Sequence, residues 1–250
     1  MSAPTTCAIV PAAGRGTRLG LRGPKLLTPV TAEETVWSLL RRTLVGLVDQ
    51  VHVVVSPPHF EAVRAATRPD DRLPTSFALQ DVPTGMGDAV FRGSSEWKEA
   101  TSVVVIWGDQ VHVSRETIAR ALGAQAGAPR RVVVPLVRLA EPYVEYRFHD
   151  SGRLTEIRQT REGDQCQPGG WADVGTFVLP TGGLLAEWQR FRAGPGVGAR
   201  TGEVNFLPFL THLAAAGWEV RPSRVDDPRE ARGINTAEDL AYFRSLYRTT

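Results

Sequence analysis

The sequence is poor in the residues and segments that build metal centres, disulfide frameworks and membrane spans. Its two cysteines, Cys7 and Cys166, lie far apart and form no Cys-x-x-Cys or Cys/His spacing, which argues against a zinc site and against disulfides. No apolar run approaches the roughly 18 residues that a membrane-spanning helix needs. The N-terminal segment has no charged region followed by an apolar one, so we expect a cytoplasmic protein without a secretory signal.

The chain also has little net charge and few lysines. The formal net charge is +2, which predicts neither a nucleic-acid nor a membrane partner. Only Lys25 and Lys98 are lysines among the 29 basic residues. Because an ammonium is a compact charge whereas a guanidinium is a planar fork, a lysine kept in a glycine-rich segment suggests a function for Lys25.

Short apolar runs alternate with helix-like segments through the first half of the chain. The runs are rich in Val and Ile, as in strands buried on both faces. This alternation predicts an α/β fold with a Rossmann-like, mostly parallel sheet flanked by helices. The predicted strands are Cys7–Pro11, Val51–Ser56, Ser76–Leu79, Ser102–Trp107 and Arg131–Val137, and the predicted helices are Thr35–Val48, His59–Thr67, Asp88–Trp97 and Ser114–Gln125.

The pattern changes after about residue 140. Two short segments flank an Asp-Ser-Gly turn and predict a small β-hairpin. Thr236 is expected to cap the last helix, with Asp239 three residues later completing a capping box. We find neither a repeat nor a linker and therefore predict one domain over residues 1–250. The predicted elements are strands Tyr146–His149, Leu154–Gln159 and Asp173–Leu179, and helices over 181–192, 204–216 and 236–248.

A glycine-rich segment directly follows the first strand. Glycines let successive backbone N–H groups approach an anion and form a cradle for phosphate. A Walker A motif would end in Gly-Lys-Ser/Thr, and a dinucleotide fingerprint would need its third glycine one residue before Gly20, so neither fits. The segment is Ala12-Ala13-Gly14-Arg15-Gly16-Thr17-Arg18-Leu19-Gly20, and it continues to Gly23-Pro24-Lys25.

These residues resemble the A-A-G-x-G-x-R-L…P-K signature of sugar-phosphate nucleotidylyltransferases, which have the MobA-like NTP-transferase fold. The chain is similar to the uridylyltransferase domain of the bacterial N-acetylglucosamine 1-phosphate enzyme and to glucose-1-phosphate thymidylyltransferase. The resemblance implies an NTP-binding half over residues 1–139 and an acceptor-binding half over 140–250. It implies that Ala12, Ala13, Gly14, Gly16 and Thr17 bind the nucleotide and that Arg15 and Lys25 are catalytic.

Three further segments match the family in order. Gln80 and Gly85 lie in a loop that resembles the family's base-binding loop, although Met86 stands where Thr is common. Asp109 ends an apolar strand at the edge where open α/β sheets bind ligands, and its carboxylate suits Mg²⁺. Asn235 lies in Gly-Ile-Asn, which resembles the family's motif for the second protein ligand. Asp109 and Asn235 are therefore the expected Mg²⁺ ligands.

The acceptor half departs from the family pattern. By position, the expected acceptor contacts are Tyr146, Gln159, Asp173 and Glu203. Asp173 replaces a common Asn, and a carboxylate accepts hydrogen bonds but does not donate them. A hydroxyl or an amine of the acceptor would then be recognised differently.

The resemblance implies a Mg²⁺-dependent transfer of NMP from an NTP to a sugar 1-phosphate, with release of pyrophosphate. The partners are an NTP and a small phosphorylated acceptor, and an oligomer is possible. One alternative is a cytidylyltransferase acting on a phosphorylated alcohol or phosphonate. Another is a nucleotide-binding regulator without activity. A metal-dependent glycosyltransferase would show Asp-x-Asp where the chain has Asp109-Gln110-Val111.

Overall fold

A computed structural model describes residues 5–14, 23–67, 72–194, 198 and 200–248. The described strands form one mixed sheet in the order β3-β2-β1-β4-β9-β5-β8-β6-β7, with β10 paired to β5. The α/β prediction is confirmed. The strands are β1 (Thr6–Pro11), β2 (Gln50–Val55), β3 (Thr75–Leu79), β4 (Ser102–Ile106), β5 (Arg131–Arg138), β6 (Val144–Phe148), β7 (Leu154–Gln159), β8 (Trp171–Asp173), β9 (Thr176–Pro180) and β10 (Glu219–Arg224).

The pairing divides the sheet into two regions. Strands β1 to β4 pair in parallel, so their carboxyl ends meet at one edge. From β9 onward the pairs are antiparallel, except for the parallel pair of β10 with β5. Parallel pairing therefore holds the first region, and antiparallel strands extend the sheet toward the hairpin β6–β7.

Helices cover both faces of the sheet because the strand residues are apolar on both sides. On β1, Ala8 and Val10 pack into one core, whereas Cys7 and Ile9 pack into the other. The helices are α1 (Val36–Leu44), α2 (Pro57–Ala66), α3 (Met86–Arg92), α4 (Ser94–Trp97), α5 (Arg115–Gln125), α6 (Leu184–Ala193), α7 (Leu207–Ala215) and α8 (Ala237–Leu246). The first core includes α1, α2, α5 and α8, and the second includes α3, α4, α6 and α7.

Local capping chemistry sets several helix starts. The Ser114 side chain accepts from the Thr117 backbone N–H at the start of α5. Thr236 and Asp239 form the predicted capping box of α8. None of the helices in the described parts of the chain is both long and apolar enough to cross a membrane.

Two helices differ from their predicted extents. The first ends at Leu44 and not at Val48, since Gly46 adopts a φ of +76° that an α-helix does not continue through. The second, predicted over Asp88–Trp97, begins two residues earlier and is two helices separated at Gly93. A Cβ on Gly93 would lie 1.8 Å from Nε2 of His52, so this position has no room for a side chain.

Two strand predictions also needed correction. The strand predicted over Asp173–Leu179 is two strands, because Gly175 turns the chain at a φ of +70°. Strand β10 was not predicted, since its sequence is largely polar and contains Pro222. Its one strand partner is β5 among the described strands, and proline is tolerated at a sheet edge.

Candidate active site

The first cleft lies at the carboxyl ends of β1 and β4. Its wall begins with Ala12, Ala13 and Gly14, which directly follow β1. The Ala12 N–H donates to the carbonyl of Val54 over 2.7 Å, which ties this segment to β2. Gly108 crosses behind it, where a Cβ would lie 3.0 Å from the Pro11 carbonyl oxygen. The result is a cleft of about 270 Å³ with a wall formed partly by backbone.

Gln80 and Gly85 border the same cleft but are held by the protein itself. The buried Gln80 amide donates to the carbonyl of Gly85 over 3.1 Å and to Oδ2 of Asp88 over 3.0 Å. Gly85 has a packing requirement of its own. A Cβ there would lie 2.6 Å from the backbone of Val204, so glycine is required by chain packing.

Three residues distant in sequence meet at one point. Nζ of Lys25 lies 3.1 Å from Oδ2 of Asp109 and 3.1 Å from Oδ1 of Asn235. Asp109 follows β4, and its carbonyl accepts from the N–H of Ile234 over 3.0 Å, which aligns the segment carrying Asn235. The Asn235 N–H donates to the α8 capping residue Asp239 over 2.9 Å. The fold thus assembles the three predicted residues.

The oxygens of Asp109 and Asn235 fit a divalent cation of the Mg²⁺ type. Both already accept from the single ammonium of Lys25, so they converge on one positive charge. In the described part of the chain, no group of three or more His, Cys, Asp or Glu could hold a metal. Two protein oxygens suffice for Mg²⁺, which usually keeps several waters and binds substrate phosphates as well.

The second cleft, of about 360 Å³, lies between the hairpin and the helical segment after Asn205. Gln159 and Asp173, both predicted acceptor contacts, line it. Oδ1 of Asp173 accepts from the N–H of Gly175 over 2.8 Å. Burial nevertheless raises the pKa of Asp173 to about 6, since desolvation outweighs the hydrogen bonds to the carboxylate.

Two predicted acceptor contacts are placed elsewhere. Tyr146 lines neither cleft; its side chain is 2% exposed, and its hydroxyl is buried next to Asp173. Its ring belongs to the core beneath the hairpin, so the structure does not bring Tyr146 to the surface of either cleft. Glu203 lines the first cleft and not the second.

The sequence reading missed Arg161, which borders both clefts. Its Nη2 donates to Oε2 of Glu203 and to Oδ1 of Asn205, each over 2.6 Å. Neighbouring Glu162 accepts from the backbone of Arg200 and the side chain of Asn205, and these hydrogen bonds outweigh its partial desolvation and lower its pKa to about 2. The Arg-Glu pair directly after the hairpin is a sequence signal for this position, but it does not stand out because arginine is frequent in this chain.

The two clefts share a border formed by Met86, Trp107, Asp109 and Arg161. Lys25 lines the first cleft and Asn235 the second, so the contacts of Lys25 with Asp109 and Asn235 span the junction. Ligands in the two clefts would therefore meet beside these three residues. Arg15, Gly16 and Thr17 lie outside the described residues.

Comparison with known proteins agrees with this arrangement. Residues 8–167 match the family model described as the MobA-like NTP transferase domain. The bifunctional protein GlmU of Aquifex aeolicus is 26% identical over 251 residues, covering 96% of this chain and 52% of that protein. GlmU of Anaeromyxobacter sp. is 30% identical over 238 residues, covering 94% and 47%. The chain thus spans about half the length of these curated relatives. By fold, clefts and family match, it belongs to the MobA-like NTP transferase domain family.

Proposed function

We propose that this protein transfers an NMP group from an NTP to a phosphate oxygen of a small phosphorylated acceptor, in the first instance a sugar 1-phosphate. The observation that carries the proposal is the convergence of Lys25, Asp109 and Asn235 where the two clefts join. The NTP occupies the first cleft and the acceptor the second. This assignment follows the family match and the backbone wall after β1, which suits phosphates.

The reaction forms a bond between an acceptor phosphate oxygen and the α-phosphorus. The bond from the α-phosphorus to the bridging oxygen breaks, and pyrophosphate leaves with the electron pair. Such transfers need alignment and neutralisation of charge more than acid–base chemistry. The acceptor phosphate is itself the nucleophile, which agrees with a junction that contains an ammonium, a carboxylate and an amide.

Asp109 and Asn235 would hold Mg²⁺, which supplies positive charge to the reacting phosphates when bound. Lys25 donates to the same two oxygens. With these oxygens engaged in holding the cation, the Lys25 ammonium would donate to the α-phosphate. Arg161, which pairs with Glu203 and Glu162, lies on the border of the second cleft, where its guanidinium would donate to the acceptor phosphate.

The test is pyrophosphate release by the purified protein with Mg²⁺, each common NTP and dTTP, and a panel of sugar 1-phosphates and phosphorylated alcohols. We expect release that depends on one NTP and one acceptor together. Turnover restricted to a phosphorylated alcohol or phosphonate would identify that class, and not a sugar 1-phosphate, as the acceptor. Binding of an NTP without turnover of any acceptor would favour a regulator, and failure to bind any NTP would reject the assignment of the first cleft.

A matched pair of variants ties the activity to the junction. Asn235→Ala removes one of the two oxygens that face Lys25, whereas Asn205→Ala removes an amide that bonds Arg161 and Glu162 and not Lys25. If Mg²⁺ binds as proposed, Asn235→Ala raises the Mg²⁺ concentration needed for half-maximal rate, and Asn205→Ala does not. An unchanged Mg²⁺ dependence in Asn235→Ala would remove Asn235 from the cation site.

A further inference from the structure

The carboxylate of Asp173 lacks a counter-charge although it faces the second cleft. Among the described residues, no basic side chain places a nitrogen within 4.0 Å of it. It accepts a hydrogen bond from the N–H of Gly175, and the buried Tyr146 hydroxyl lies beside it. A partly buried carboxylate without a cation is costly, so its position in a ligand cleft needs a reason.

Gly175 brings Asp173 next to two other groups of the cleft. Its carbonyl accepts from the N–H of Trp107 over 2.9 Å, and a Cβ on it would lie 2.6 Å from Nε2 of Gln110. Gln110 is 5% exposed, and its Oε1 finds no hydrogen-bond partner among the described residues. The same region of the cleft therefore combines a carboxylate, an amide oxygen that needs a donor, and an indole ring.

Aromatic surface continues around this region. Trp107 and Tyr143 both line the second cleft, and the Tyr143 side chain is 51% exposed. Aromatic faces attract organic cations, and a carboxylate strengthens that attraction. A hydroxyl group of a neutral acceptor would satisfy Gln110 but would leave the charge of Asp173 uncompensated.

Charges in the second cleft are separated along its length. Arg161, on the border with the first cleft, is positive and pairs with Glu203 over 2.6 Å, whereas Asp173, beside Gly175, is negative and forms no ion pair among the described residues. A ligand that matches both carries a phosphate toward Arg161 and an ammonium toward Asp173. We propose that the acceptor is a phosphorylated amine, with its ammonium bound by Asp173, Gln110 and Trp107. This inference rests on the proposed function and narrows its acceptor class.

The experiment compares acceptors in pairs that differ in one charge. One pair is glucosamine 1-phosphate and glucose 1-phosphate, and the other is 2-aminoethyl phosphate and 2-hydroxyethyl phosphate. The kcat/KM for each is measured as pyrophosphate release at pH 7.5 with the preferred NTP. We expect at least one amine to exceed its hydroxyl partner by about 10- to 100-fold, the usual value of a hydrogen bond to a charged group. The pair that responds identifies a sugar or an alcohol scaffold.

Asp173→Asn provides the decisive variant, since it removes the charge but keeps the shape and one carbonyl oxygen. We expect the amine preference, the ratio of the two kcat/KM values, to fall to within about threefold. Asp150→Asn makes the same chemical change at an exposed position in the hairpin turn and is expected to keep the preference. A preference that persists in Asp173→Asn would overturn the inference.

The remaining outcomes distinguish failure of the inferred acceptor class from failure of the proposed nucleotidyl transfer. Turnover of hydroxyl acceptors without an amine preference leaves the nucleotidyl transfer standing and overturns the inference. No turnover with any NTP and acceptor counts against the proposed function. In that case calorimetric binding of 2-aminoethyl phosphate and 2-hydroxyethyl phosphate decides the inference. Tighter binding of the amine that Asp173→Asn abolishes supports it, whereas equal binding, or binding of neither, overturns it.

Discussion

The two clefts are built by different means. The first is formed at the ends of parallel strands, where the backbone after β1 and the loop of Gln80 to Gly85 supply much of the wall. The second is formed by side chains from the antiparallel region, including Gln159, Arg161 and Asp173. A cleft wall formed by backbone requires particular residues in a fixed order, whereas a wall formed by side chains tolerates substitution of those side chains. The comparison explains why the first half matches a family signature closely and the second half departs from it.

The largest expected effect comes from removing the junction that both clefts share. Asp109→Ala takes away one cation ligand and one partner of Lys25, and Lys25→Ala removes the ammonium between Asp109 and Asn235. We expect each variant to lower kcat by about 10²- to 10³-fold, as for loss of other groups that stabilise transition-state charge. Pyrophosphate release measures the rate, and circular dichroism checks the fold. A near-normal rate in either variant would contradict the roles of these residues.

The next effect tests whether the first cleft depends on backbone geometry. In Gly85→Ala the new Cβ would approach the Val204 backbone to 2.6 Å at a φ of +121°, so we expect unfolding free energy to fall by about 1–3 kcal/mol. Urea titration measures it. Gly182→Ala is the control, because no atom lies within 4 Å of a Cβ there. Equal stability of the two variants would show that the loop around Gly85 can move away from the Val204 backbone and accommodate the new Cβ.

A smaller effect tests which cleft Arg161 serves. In Arg161→Ala the acceptor KM is expected to rise about tenfold, because a charge-assisted contact to phosphate is lost. Arg158→Ala is the matched control: its guanidinium pairs with Glu156 over 3.0 Å, and it lines neither cleft. A rise confined to the KM for the NTP would assign Arg161 to the first cleft and contradict its proposed contact with the acceptor phosphate.

The smallest effect is on stability and concerns the charge of Asp173. Its folded pKa of about 6 lies above the ordinary value of 3.8, so the folded state binds more protons between these pH values. Stability from this group is therefore present below about pH 3.8 and is lost as pH rises through 6. Asp173→Asn should raise Tm at pH 8 relative to wild type by about 2–4 °C and do so less at pH 4. A gain that is the same at both pH values would mean that the carboxylate is well solvated.

Local patterns predicted much of the fold. Runs of Val and Ile located β1, β2, β4 and β5 to within one residue at every boundary, because strands buried on both faces must be apolar throughout. Capping chemistry located the starts of α5 and α8. The failures share a cause in contacts between distant segments: His52 leaves no room for a side chain at Gly93, where the helix breaks, and β5 provides the strand partner of β10. Neither contact is visible in the local sequence.

The sequence by itself determined the α/β alternation, the glycine-rich segment after β1 and the identity of Lys25, Asp109 and Asn235 as candidates. Tertiary structure decided that these three meet, although 84 and 210 residues separate Lys25 from its two partners. It also decided that Tyr146 is buried and that Arg161 stands between the clefts. A motif records the backbone geometry of one segment, whereas burial and charge pairing depend on segments that only the folded sheet brings together.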